Sequence, residues 1–224
     1  MFQGYSNETF EFFMAIRFNN NRPFFQDNHD WYLRSVRGPS IALAEALAPM
    51  AEELDPELER RPHRVVSRIN RDIRFSHDKS PYRDCVWLAF RRPKEERCMS
   101  LGAYFDLNDE GASYGIGFYR ENKPLMNALR HCMETDPQPL LEAYEAVRGE
   151  FMLFTLPNKR IKVPESVPEA LHEWYRAKSF YLEKPILDFD LIRSPGLADE
   201  IRRGWKKLKP LFHIIRDLAP IEDA

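Results

Sequence analysis

The stretch Leu101-Gly102-Ala103-Tyr104-Phe105-Asp106-Leu107-Asn108-Asp109-Glu110-Gly111-Ala112-Ser113-Tyr114-Gly115-Ile116-Gly117-Phe118-Tyr119-Arg120 decides the fold. Leu101 to Leu107 and Ala112 to Arg120 read as strands. Between them Asn108-Asp109-Glu110-Gly111 has turn chemistry: Asn and Asp side chains bond their own backbone, and Gly takes conformations closed to other residues. A connection this short joins antiparallel strands, because a parallel crossover needs a dozen residues or more. On the second strand Ala112, Tyr114, Ile116 and Phe118 share one face, while Ser113, Gly115 and Gly117 share the other. Such a strip of small side chains admits either a packed helix or a ligand against the backbone. Gly115-x-Gly117 lacks the third glycine and the following helix of a dinucleotide fingerprint.

Outward from this hairpin, Cys85 to Arg91 is apolar on both alternating sets and is expected as a central strand covered on both faces. Val65 to Phe75 alternates and reads as a strand, as do Phe151 to Leu156 and Phe180 to Leu187. The flanks switch to helical spacing. Ser6 can cap a helix to Phe18, stopped by Asn19-Asn20-Asn21. A second helix starts near Pro23 and runs through Trp31, Leu33 and Val36. It is broken or kinked at Gly38-Pro39 and continues from Ile41 to Leu54. Further helices are expected at Leu125 to Met133, Pro139 to Val147, Leu171 to Arg176 and Pro195 to Asp217. The last buries Ile201, Trp205, Leu208, Phe212 and Ile215 on one face. The fold class is α+β: a mostly antiparallel sheet packed with N-terminal and C-terminal helices, in a single domain spanning 1–224.

A hydrophobic fraction of 43% supplies a sizeable core, and a net charge of −2 argues against coating nucleic acid or acidic membranes. No secretory leader is visible and no apolar run approaches the ~18 residues of a membrane span. Cys85, Cys98 and Cys132 form neither a disulfide framework nor a CxxC metal site. They read as reduced thiols, which makes the cytoplasm the expected location. The six histidines stand singly, so no metal site is expected. GxSxG and P-loop strings are absent. Arg202-Arg203 and Lys206-Lys207-Lys209 form a basic face of the last helix, read as solvated.

The sharp chemical signal lies upstream of the hairpin. In Val65-Val66-Ser67-Arg68-Ile69-Asn70-Arg71-Asp72-Ile73-Arg74-Phe75 a strand would place Val65, Ile69, Ile73 and Phe75 on one face and Arg68, Asn70, Asp72 and Arg74 on the other. Ser76-His77-Asp78-Lys79-Ser80-Pro81 then turns the chain and adds Lys79 and Tyr82. From Arg60 to Arg92 ten Lys and Arg stand against three Asp, a local +7, so the remainder carries −9. Arginine forks match carboxylate and phosphate geometry. Either the arginines form a salt-bridge network with Asp72, Asp78 and Asp84, or they hold an anion.

The string Ser67 to Tyr82 resembles the signature of a widespread bacterial group, the domain-of-unknown-function family numbered 2461. Phe2-x-Gly4-Tyr5-Ser6 is similar to that family's opening motif. So is Asn19-Asn20-Asn21-Arg22-x-Phe24-Phe25, where the family usually has Trp in place of Phe24. Tyr104 and Gly115-x-Gly117-x-Tyr119 also fit, so the resemblance covers nearly the whole chain. It implies one compact domain, and it brings no activity, substrate, cofactor or catalytic residue.

Two functional readings follow. In the first, Arg68, Asn70, Arg71, Arg74 and Lys79 bind a small anionic or phosphorylated ligand, with Arg22, Tyr82, Tyr104 and Tyr119 as walls and Asp72 available as an acid or base. In the second, the protein is a non-enzymatic interaction module whose Arg strand is a structural ion-pair network. Single-stranded nucleic-acid binding through arginines and tyrosines is disfavoured by the net charge. Oligomeric state is not readable from the residues.

Overall fold

The computed structural model of the protein describes residues 1–74, 78–93, 95 and 99–220. Five strands, β1 (Val86–Arg91), β2 (Gly102–Asn108), β3 (Gly111–Phe118), β4 (Met152–Pro157) and β5 (Ala177–Ile186), form one sheet. Its order is β1-β2-β3-β5-β4, with every neighbouring pair antiparallel. The β2–β3 turn forms as its residues demand. Asn108 pairs with Gly111. The Asn108 side-chain oxygen accepts from the amides of Glu110 (2.8 Å) and Gly111 (3.2 Å). Gly111 sits at φ +145°, a conformation that L side chains rarely adopt.

One sheet face is the core. Leu88, Phe90, Phe105, Tyr114, Ile116, Phe180 and Leu182 are fully buried there. The opposite face carries Trp87, Tyr104, Asp106, Ser113, Tyr181 and Glu183, all half-buried. Over the core face lie α4 (Gly38–Leu54) and the long α10 (Gly196–Arg216), which pack on each other. Gly204 lets α10 approach β3 closely, since a Cβ there would lie 2.3 Å from the Tyr114 ring. The apolar face expected of this helix is the one buried: Ile201, Trp205, Leu208, Phe212 and Ile215. The expected helices at 125–133, 139–147 and 171–176 appear as α6 (Lys123–Thr135), α7 (Gln138–Glu145) and α8 (His172–Arg176).

At the amino end α1 (Asn7–Phe18) starts after Ser6, whose amide donates to Thr9 Oγ1 (3.2 Å). Then come α2 (Arg22–Asp27), α3 (His29–Tyr32) and a π-helical turn, Leu33–Arg37, that runs directly into α4. The break expected at Gly38-Pro39 is therefore absorbed without interrupting the helix. Pro39 has no N–H for the Ser35 carbonyl, and Thr9 Oγ1 donates to that carbonyl instead (2.7 Å). The Gly38 amide reaches back five residues to Leu33.

Two strand expectations are corrected. Cys85 to Arg91 is not central: β1 lies at one end of the sheet order, and its second face is covered only in part. That face carries Ala89 and Trp87, and the guanidinium of Arg83 lies 4.4 Å from the Trp87 ring centroid. An amphipathic ring and a methyl group tolerate this without a second layer. Val65 to Phe75 is not a strand. Pro62–Val65 is a helical turn, α5, and beyond it only single bridges form, Val66 with Leu88 and Asn70 with Tyr82. Ser67 meets Trp87 N with its side chain (3.1 Å). Pro81, whose carbonyl accepts from the Arg71 amide, has no N–H to return, so a ladder cannot propagate. Of the face expected to be apolar, Val65 and Ile69 are buried but Ile73 is 36% exposed. Phe75 and the turn residues Ser76 and His77 lie outside the described residues, as does Cys98.

Candidate functional site

The irregular path of residues 66–74 places Arg68, Ile69 and Asn70 opposite the α2-to-π-turn segment. Between them is a cleft of about 260 Å³ lined by Phe25, His29, Tyr32, Leu33, Arg37, Arg68, Ile69 and Asn70. Its wall is an aromatic cluster. Phe25 lies 4.3 Å from Tyr82 and 5.6 Å from Tyr32 between ring centroids, and His29 stands edge-on to Phe25 at 5.5 Å. The π-turn sets Arg37 into this wall, and π-turns within helices recur at functional sites. Arg37 lines the cleft together with Tyr32, whose own pKa burial raises. Neither Arg37 nor Arg68 has a carboxylate partner among the described residues, and no described residue lining the cleft is acidic.

The other expected site residues go elsewhere. Arg71 pairs with Asp78 and reaches Asp84 at 3.8 Å. Arg74 forks onto Asp72 (2.9 and 2.7 Å). These hydrogen bonds pull the Asp72 carboxyl down to about 2, so Asp72 stays ionised and is a poor proton acceptor. Lys79 Nζ donates to the Ile73 carbonyl (2.9 Å). Tyr82 is buried behind Phe25, with its amide and carbonyl both bonded to the Asn20 side chain (2.9 Å each). Arg22 is exposed on the first turn of α2. Tyr104 lies on β2 and Tyr119 is 65% exposed after β3, so neither walls the cleft. The salt-bridge alternative thus describes Arg71 and Arg74, while Arg68 and Asn70 face a cavity.

On the Ser113-Gly115-Gly117 strip the side chain that lies closest to Gly115 is Tyr104, from the neighbouring strand. Tyr104 crosses Gly115, its hydroxyl donating to the Leu182 carbonyl (3.3 Å) and to Glu183 (3.2 Å). Ser113 Oγ also donates to Glu183 (3.2 Å). Beside them Asp106, paired with Ser113 across β2–β3, makes no side-chain hydrogen bond among the described residues. Burial, and then the charge of Glu183, push its carboxyl up to about 7. Sequence reading missed this pair and also missed Arg37 and His29. A register argument finds Asp106, because Trp87, Asp106 and Ser113 fall in one cross-strand row. Nothing local marks Arg37. Arg83 joins the two regions: besides covering Trp87, it donates to the carbonyls of Arg68 and Asn70 (2.8 Å each). Among the described residues no group of three or more His, Cys, Asp or Glu side chains gathers as a metal site, and no helix is long and apolar enough to cross a membrane.

A family model described as "Conserved hypothetical protein (DUF2461)" matches residues 8–213. No curated protein and no solved structure matches the chain.

Proposed function

The chain belongs to the conserved hypothetical protein family DUF2461, and we propose that it binds a small anionic or phosphorylated ligand in the Arg37–Arg68 cleft. The observation that carries this reading is the pair of guanidiniums, Arg37 and Arg68, that line one cleft without carboxylate partners among the described residues. Guanidiniums fork onto carboxylate or phosphate oxygens. Asn70 lines the same cleft and orients the ligand. Cys85 and Cys132, both free and half-buried, fit a reducing compartment such as the cytoplasm.

The test is thermal unfolding in inorganic phosphate against chloride of equal ionic strength. A ligand at a hundred times its Kd stabilises by about 2.7 kcal/mol, a rise of several degrees for a chain of this size. Arg68→Ala, an exposed position, is expected to keep the fold and lose that rise. Equal protection of both proteins sinks the reading.

A second reading is favoured by Asp106. A carboxyl that burial and the charge of Glu183 push up to about 7 can both release and take up a proton near pH 7. Such a group suits general acid–base chemistry.

A further inference from the structure

We infer that the ligand of the Arg37–Arg68 cleft is a phosphate monoester of a flat, aromatic body, an inference that rests on the binding reading above. The lining has two halves of different chemistry. Arg37 and Arg68 supply two guanidinium charges, matching the two charges of a monoester, and His29 adds ring nitrogens. Phe25, Leu33 and Ile69 supply apolar surface. Leu33 is 40% exposed, an aliphatic side chain left to water inside a cleft, and covering it is favourable in proportion to the area removed from water.

Size points the same way. The cleft measures about 260 Å³, and one water occupies about 30 Å³ in the liquid. An inorganic oxyanion therefore fills only the guanidinium end and leaves Phe25 and Leu33 wet. A ring attached to the phosphate covers them. Flatness is inferred from the make-up of the lining, because aromatic rings and guanidinium planes both stack on planar π systems. The cleft falls below the ~300 Å³ lower range of ordinary ligand pockets, which argues against a dinucleotide.

Calorimetric titration of the full chain with inorganic phosphate and with phenyl phosphate tests this. Phenyl phosphate is expected to bind at least about tenfold more tightly. Leu33→Ala is expected to shrink that preference several-fold, and Arg68→Ala to weaken both ligands. Equal affinity for the two probes overturns this inference and leaves anion binding standing. Binding of neither overturns both. A phenyl phosphate preference that survives Leu33→Ala and Arg68→Ala unchanged places the ring elsewhere and also overturns it.

Discussion

Arg68, Arg71 and Arg74 have the same side chain within seven residues and meet three different fates. Arg71 and Arg74 find carboxylates on their own loop, and Arg68 finds a cavity. Which one is available to a ligand depends on where an extended but unpaired backbone points each residue. Asp106 shows the same dependence and gives a prediction with a definite sign. Its folded pKa of about 7 lies above the value near 3.9 of an unfolded chain. The folded state therefore holds that proton more tightly. Its contribution to stability is complete below pH 4 and is lost as pH rises through 7. Asp106→Asn removes this loss. Compared across pH 4 to 9, the melting midpoint of the variant is expected to gain on wild type as pH rises and to exceed it above pH 8. A constant difference across that range would show that the pair is not coupled as described.

At the scale of elements, the π-turn and the α10–β3 contact carry the most information. The turn exists because Pro39 leaves the Ser35 carbonyl without its helical donor, and buried Thr9 replaces it. Thr9→Val keeps the shape and removes the donor. A loss of about 1–3 kcal/mol is expected in urea titration, the cost of an unsatisfied buried group. Arg37 should then turn out of the cleft, so phosphate protection falls as well. Gly204→Ala drives a methyl into the Tyr114 ring. A well-packed contact of that kind costs about 1–3 kcal/mol, read as a lower urea midpoint with an unchanged slope. The segment 65–75 carries the opposite lesson. Its alternation is strand-like, but Ser67 and Pro81 spoil the ladder from both sides. The chain stays extended without joining the sheet, and this frees Arg68 and Asn70 for the cleft.

Across the whole molecule, one contiguous apolar core runs from Phe2 to Ile215 and includes side chains from every strand except β4, whose Leu153 packs against it. This predicts a single cooperative unit. Tryptophan fluorescence and far-ultraviolet circular dichroism should trace coincident urea transitions, and two separated transitions would divide the chain into two domains. The charge asymmetry also changes meaning at this scale. The +7 between Arg60 and Arg92 is local in sequence only. In space Glu52 and Glu59 take Arg60 and Arg61, Asp55 takes Arg92, and Asp84 is shared by Arg17 and Arg71. Part of the apparent basic patch is neutralised by Glu52, Asp55 and Glu59, which lie outside residues 60–92, and Arg68 is left in one cleft with Arg37.

The sequence by itself determined the α+β class, the β2–β3 hairpin with its Asn108–Gly111 turn, the buried face of α10, and the family. Each of these rests on periodicity, on turn chemistry or on a long contiguous motif, which are properties of neighbours along the chain. Only the tertiary structure decided that β1 is an edge, that the Arg segment is not a strand, and that Arg68 shares a cleft with Arg37. It also decided that Asp106 lies beside Glu183. These depend on residues tens of positions apart, and on which polar group finds a partner once burial has removed water. That competition is settled by packing and desolvation across the whole molecule, and local pattern does not encode it.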